Sequence, residues 1–215
     1  MAKPSVKGSI FKGVIDDLAR LIEERRISED EVDAKLDAED VAFLETEINP
    51  AAWYPIESYG RLMQLLGDVE GGGKDAYFAE RGRASARRLM ASGLYQQLAF
   101  LSRWDEAIGS VRSNPSVLID GYARNLRMVM SMASGIYNVG QWTVEPDPEH
   151  PGRVCIAVRE ASLYSEPMRL AIEGFLNECA QATREGLTHL HSSERPAPDL
   201  MLFRMTRDIT AISRS

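Results

Sequence analysis

Apolar residues in the first half of the chain recur every three or four positions, whereas in the second half that spacing alternates with a spacing of two. Ile10, Phe11, Val14, Leu18, Leu21 and Ile22 form one helical stripe, and Arg25 and Arg26 at its end suit the negative pole of the helix dipole. Ser28 followed by Glu31 is a capping-box pattern that opens a short acidic helix through Val32 and Leu36. A third helix is predicted from Pro55 through Tyr59, Leu62, Met63 and Leu66 to the glycines at 71, 72 and 73. Helices over Lys74 to Met90 and Leu94 to Trp104, broken near Ser92 and Gly93, complete an almost wholly helical half.

The second half opens with a helix from Val117 to Tyr137, its stripe made by Leu118, Tyr122, Leu126, Val129, Met130, Ala133 and Ile136, with Arg124 and Arg127 elsewhere on its surface. Asn138 and Gly140 supply a stop. Trp142 and Val144 then alternate with Gln141, Thr143 and Glu145, and Val154, Ile156 and Val158 resume the alternation after a loop holding Pro146, Pro148, Pro151 and Gly152. The pair reads as an antiparallel hairpin. Ser165 is placed to cap the next helix, with Pro167 in its first turn, Leu170, Ile172, Phe175, Leu176 and Cys179 on its apolar side and Gly186 at its end. Two further strands are predicted over Leu187 to His191 and Leu200 to Met205, joined by a polar, proline-containing loop over 192–198. The fold class is therefore α+β: a helical N-terminal half packed on a helix-strand-strand-helix-strand-strand unit with a four-stranded antiparallel sheet. Residues 1–215 are expected to form a single domain, with subdomains, if any, meeting near Asn114 and Pro115.

With 44% hydrophobic and 27% charged residues, the 215-residue chain can bury a sizeable core. A formal charge of −7 repels nucleic-acid phosphate, and the one basic cluster, Arg81, Arg83, Arg87 and Arg88, wraps around its helix and reads as a solvated face. No segment approaches membrane-spanning length, and the amino terminus, with Lys3, Lys7, Lys12, Asp16 and Asp17, has no signal-peptide character. A cytoplasmic protein without nucleic-acid or membrane partners is expected. Cys155 and Cys179 fall on apolar positions and read as buried free thiols.

Catalytic motifs fail individually. Gly71-Gly72-Gly73-Lys74 resembles the end of a phosphate loop, but Asp75 stands where a hydroxyl is needed and a helix precedes it, so a turn between helices is expected. His189 and His191 could share one face of a strand, yet no third metal ligand lies near them in the sequence. Trp53, Tyr54 and Tyr59 differ, because Asn49 and Pro50 break the chain just ahead of them and deliver large rings to a loop-to-helix junction. They are the candidate ligand- or partner-binding residues; the alternative is a staple that fixes the start of the helix against the core.

Lys7-Gly8-Ser9-Ile10-Phe11, the Trp53-Tyr54-Pro55 helix start and the order helix, two strands, helix, two strands resemble the haem-dependent nitric-oxide/oxygen-binding (H-NOX-like) domains and, in layout, an uncharacterised myxobacterial family of about this length. The carboxy-terminal half, where Glu173-Gly174-Phe175 starts a helix that leads into the last strand pair, is similar to 4-vinyl-reductase-type small-molecule-binding domains. In the haem proteins the resemblance implies an axial histidine in a central helix and a Tyr-x-Ser-x-Arg motif for the haem propionates. The segment corresponding to the ligand helix, Leu98 to Val111, holds no histidine, and Tyr164-Ser165-Glu166 does not reproduce the propionate motif. The expectation is the architecture without haem or other cofactor: a non-enzymatic regulatory or sensory module that binds a small apolar ligand or a partner protein, with a homodimer compatible. The alternatives are an enzyme whose site is assembled from scattered groups such as His189, His191 and a carboxylate, and a purely structural interaction scaffold.

Overall fold

A computed structural model of the chain describes residues 3–91, 115–133, 135–183 and 189–208. The predicted stripe over Ile10 to Ile22 becomes helix α1 (Gly8–Glu23), which buries Phe11, Val14, Leu18 and Leu21. Ser28 accepts a hydrogen bond from the Glu31 backbone N–H while the Glu31 carboxylate accepts from Ser28 N–H, so the capping box opens α2 (Glu29–Lys35). Helices α4 (Ile56–Glu70) and α5 (Asp75–Ala91) flank the glycine turn, where Gly72 and Gly73 take positive φ of 58° and 70°. The expected helix over Leu94 to Trp104 and its break near Ser92 lie outside the described residues.

The first half is not wholly helical. Strand β1 (Ser5–Lys7) pairs antiparallel with β2 (Trp53–Pro55), two segments too short for their alternation to register in the sequence. Helix α3 (Ala38–Leu44) was also not predicted; its signal is the capping box of Asp37 and Asp40. Asp40 is buried, and Arg61 of α4 donates to both its oxygens, which ties α3 to α4. Lys7 N–H donates to Ile136 O, Asn138 N–H donates to Ser5 O, and Val6 bridges Tyr137. The amino-terminal strand is thereby stitched to the segment that follows helix α6 (Pro115–Ala133).

Strands β3 (Gln141–Pro146), β4 (Val154–Arg159), β5 (His191–Ala197) and β6 (Leu200–Met205) form one antiparallel sheet in the order β3-β4-β6-β5. The molecule is thus α+β as expected. Residues 192–197, predicted as part of a loop, are strand. β5 is an edge, so exposed Pro196 costs no ladder hydrogen bond, and a register irregularity between Glu194 and Ala197 absorbs it. Central β4 is buried on both faces, Cys155 and Ala157 as well as Val154, Ile156 and Val158. Over the outer face run charge pairs, Arg159 with Glu145 at 3.0 Å and Arg204 with Asp147, Glu149 and Glu194.

Helix α7 (Glu166–Thr183) packs along α5. Two details differ from expectation. The Ser165 hydroxyl is buried against Gly60 without a hydrogen-bond partner among the described residues, so it is not a side-chain cap, and Glu173-Gly174-Phe175 lies inside the helix and does not start it. Gly186, the predicted stop, lies outside the described residues. The core joins Phe11, Leu18, Leu62 and Leu66 of the helical half to Met168, Ile156, Met201 and Phe203 of the sheet half.

Candidate functional site

Arg127, Met130 and Ser131 stand at i, i+3 and i+4 of α6 and therefore share one face of the helix. Opposite them, Trp142 and Val144 alternate along β3 on one face of the strand. These five residues and Gly140 line an open cleft of about 310 Å³. Gly140 has φ of 82°, and a Cβ there would sit 3.1 Å from Val158 Cγ1 and 3.2 Å from the Tyr164 ring, so the tight approach to β3 requires glycine.

Trp142 forms the firm wall. Its ring stacks with Tyr137 at 6.3 Å and with Phe203 at 6.5 Å and meets Tyr164 edge-on at 6.0 Å. Tyr164 donates to Val139 O at 2.7 Å, and burial pushes its phenol pKa up, while the Trp142 indole N–H is buried with no acceptor among the described residues. On the opposite side Arg127 is exposed and makes no hydrogen bond or ion pair among the described residues, whereas Ser131 donates to Met128 O at 2.7 Å. Among the described residues the lining contains no imidazole, thiol or carboxylate. It can bind a molecule, but it offers neither a nucleophile activated by a base nor an acid–base pair.

The residues singled out in the sequence lie elsewhere. Tyr54 stacks on Phe11 at 4.7 Å, meets Phe43 edge-on at 5.7 Å, and its hydroxyl accepts from Asn49 N–H at 2.9 Å. Tyr59 is buried beside Phe11 at 6.2 Å, and desolvation pushes its phenol up to about 12. These two rings meet in the cluster around α1. Trp53 is on the surface at 42% exposure with Lys7 Nζ 4.6 Å above its ring. None of the three lines the α6–β3 cleft. Arg127 and Trp142 were visible in the sequence only as an off-stripe arginine and a strand aromatic; nothing local linked them.

The remaining candidates separate in the same way. His189, exposed with φ of 59°, precedes β5, whereas His191 is buried inside it, so the two imidazoles do not share a face. Arg81 pairs with Asp17, Arg83 with Glu80, and Arg87 with Glu80 and Glu178, while Arg88 donates to the Ser85 hydroxyl, so three of the four arginines of the basic cluster are held in ion pairs. Cys155 and Cys179 are buried and unpaired, their thiols raised by desolvation to about 11 and about 12. Among the described residues no group of three His, Cys, Asp or Glu side chains could hold a metal ion, and no helix is long and apolar enough to cross a membrane. None of the three histidines lines this cleft to serve as a haem ligand: His150 is exposed in the β3–β4 loop, His189 is exposed before β5, and His191 Nε2 is engaged by Tyr122. The segment expected to correspond to the haem ligand helix, Leu98 to Val111, lies outside the described residues, and its sequence contains no histidine.

No protein-family model matches the chain. No curated protein matches it either. A search of solved structures finds the crystal structure of a mutant H-NOX protein from K. algicida in its Fe(II) unliganded form, at TM-score 0.50 and 15% identity, covering 93% of this chain and 95% of that one. At that identity the likeness is one of fold: the arrangement of helices and sheet is H-NOX-like.

Proposed function

We propose that the protein is a non-enzymatic sensory or regulatory module of the cytoplasm that holds a small apolar ligand in the α6–β3 cleft, without haem. The observation that carries this reading is the cleft's lining: Met130, Val144 and the Trp142 ring with, among the described residues, only Arg127 and Ser131 as polar side chains, in a space of about 310 Å³. Apolar walls with a few polar groups are the ordinary composition of small-molecule sites, and that volume lies at the lower end of their range of about 300 to 1,000 Å³. The fold likeness points the same way, since the similar structure is an H-NOX protein described by its liganding state. The finer likeness to a myxobacterial family and to 4-vinyl-reductase-type domains belongs to the same proposal and rests on residues 7–11, 53–55 and 173–175. The whole chain is taken as one domain.

Native mass spectrometry of freshly purified protein tests the reading. A small molecule retained at one-to-one stoichiometry is expected, and Ser131→Trp, which fills the cleft from an exposed position, is expected to lose it. Protein that carries nothing and takes up no alkyl or aromatic probe would sink the proposal.

Trp53 favours a second reading, capture of a partner protein or a second copy. A large exposed ring under a lysine ammonium has the character of an interface anchor, and the neighbouring Tyr54 ties β2 to Phe11 of α1. Trp53→Ala is expected to leave the melting temperature within a degree or two while abolishing pull-down of the partner or concentration-dependent dimerisation. A large fall in melting temperature with capture intact would show that the ring serves the fold.

A further inference from the structure

Arg127 is the cation that lines the cleft, and it lacks a counter-charge among the described residues. Among the described residues Arg25, Arg88 and Arg124 also pair with no carboxylate, but they do not line the cleft. Arg20, Arg61, Arg81, Arg153, Arg169, Arg195 and Arg204 each have one. The carboxylate that β3 could have offered, Glu145, follows Val144 and so points to the other face of the strand, where it is tied to Arg159 at 3.0 Å. The head group of Arg127 is therefore left over a cleft whose walls one turn further along α6 and across on β3 are apolar.

We infer that this cleft takes a small amphipathic monocarboxylate, its carboxylate on the Arg127 guanidinium and its apolar body against Met130, Val144 and the face of Trp142. The inference rests on the reading of the cleft as a ligand site and adds the ligand's charge and class. A planar guanidinium offers two parallel N–H donors that match the two oxygens of one carboxylate. A cationic ligand is repelled there, and a neutral one leaves the guanidinium without an anion. A polyanion such as a nucleotide is disfavoured by the net charge of −7 and by the single cation that the described residues place in the lining, so one negative charge is the best match.

The test is isothermal titration calorimetry with octanoate, octanol and octylamine, which share an apolar chain and differ in charge. Octanoate is expected to bind at least about tenfold more tightly than octanol, the scale of one charge-assisted hydrogen-bonded contact, and octylamine more weakly than either. Arg127→Met, a substitution at an exposed helix position, is expected to bring octanoate and octanol to equal affinity while leaving the circular dichroism spectrum unchanged. Equal binding of octanoate and octanol to the unaltered protein overturns the carboxylate and leaves the apolar cleft standing. An octanoate preference that survives Arg127→Met overturns the role of Arg127. Binding of none of the three probes overturns both the inference and the reading on which it rests.

Discussion

His191 carries an uncompensated polar atom at the start of β5. Its Nε2 shares a 2.7 Å hydrogen bond with the Tyr122 hydroxyl, its backbone N–H donates to Asn177 Oδ1, and its carbonyl accepts from Asn177 Nδ2, yet Nδ1 is buried with no partner among the described residues. Desolvation lowers the imidazole from its usual 6.5 to about 4, and the same burial pushes the Tyr122 phenol up. The unfolded chain takes up a proton near pH 6.5 and the folded chain only near pH 4, so between those values the unfolded state binds more protons. The stability this residue leaves intact above pH 6.5 is lost as pH falls, by about 3 kcal/mol once pH 4 is reached. Urea unfolding from pH 7.5 to 4 should therefore fall more steeply for the unaltered protein than for His191→Asn, which removes the titrating ring. Parallel slopes for the two proteins would show that the imidazole is not the group responsible.

Helices α5 and α7 cross at a pair of glycines. A Cβ on Gly82 would lie 1.8 Å from Ala171 O, and one on Gly174 would lie 1.9 Å from Ala79 O, so the two backbones touch where each helix presents a small residue. Most helix pairs stand 8 to 10 Å apart on interdigitated side chains, and closer approach leaves no room for even a methyl group. Alanine is the better helix former by about 1 kcal/mol, which makes the sign of the substitution diagnostic. Gly13→Ala, on α1 with open space around its Cβ, is expected to raise stability by up to that amount. Gly82→Ala and Gly174→Ala are each expected to lower it by about 1 to 3 kcal/mol, read from urea midpoints. If all three variants were stabilised alike, the close crossing would be refuted. The sequence shows both glycines inside helical stripes, but which two helices touch is not a local property.

The molecule as a whole has an H-NOX-like arrangement of helices and a four-stranded sheet. Its three histidines are at 150, 189 and 191, two of them exposed and one enclosed beside Tyr122, and none lines the cleft. Titration with haem is expected to give only the broad absorption of loosely bound pigment. A sharp Soret band at one-to-one stoichiometry that survives gel filtration would contradict this and would require a ligand other than these imidazoles.

What the sequence by itself determined are the features that depend on near neighbours. The 3.6-residue stripe of α1, the Ser28 capping box, the glycine turn after α4, the β3–β4 hairpin and the buried state of Cys155 and Cys179 are all written in spacings of a few residues, where backbone geometry alone couples pattern to structure. What only the tertiary structure decided are relations between distant segments. Residues 192–197 become strand despite Pro196 because β6 pairs with them and the other edge stays open; Tyr54 and Tyr59 turn inward and Trp53 outward because Phe11 and Phe43 stand beneath β2. The cleft exists because α6 lies beside β3, and among the described residues Arg127 has no carboxylate, since Glu145 sits on the far side of its strand. Such pairings are set by the competition of many apolar faces for one core, which no window of neighbouring residues contains.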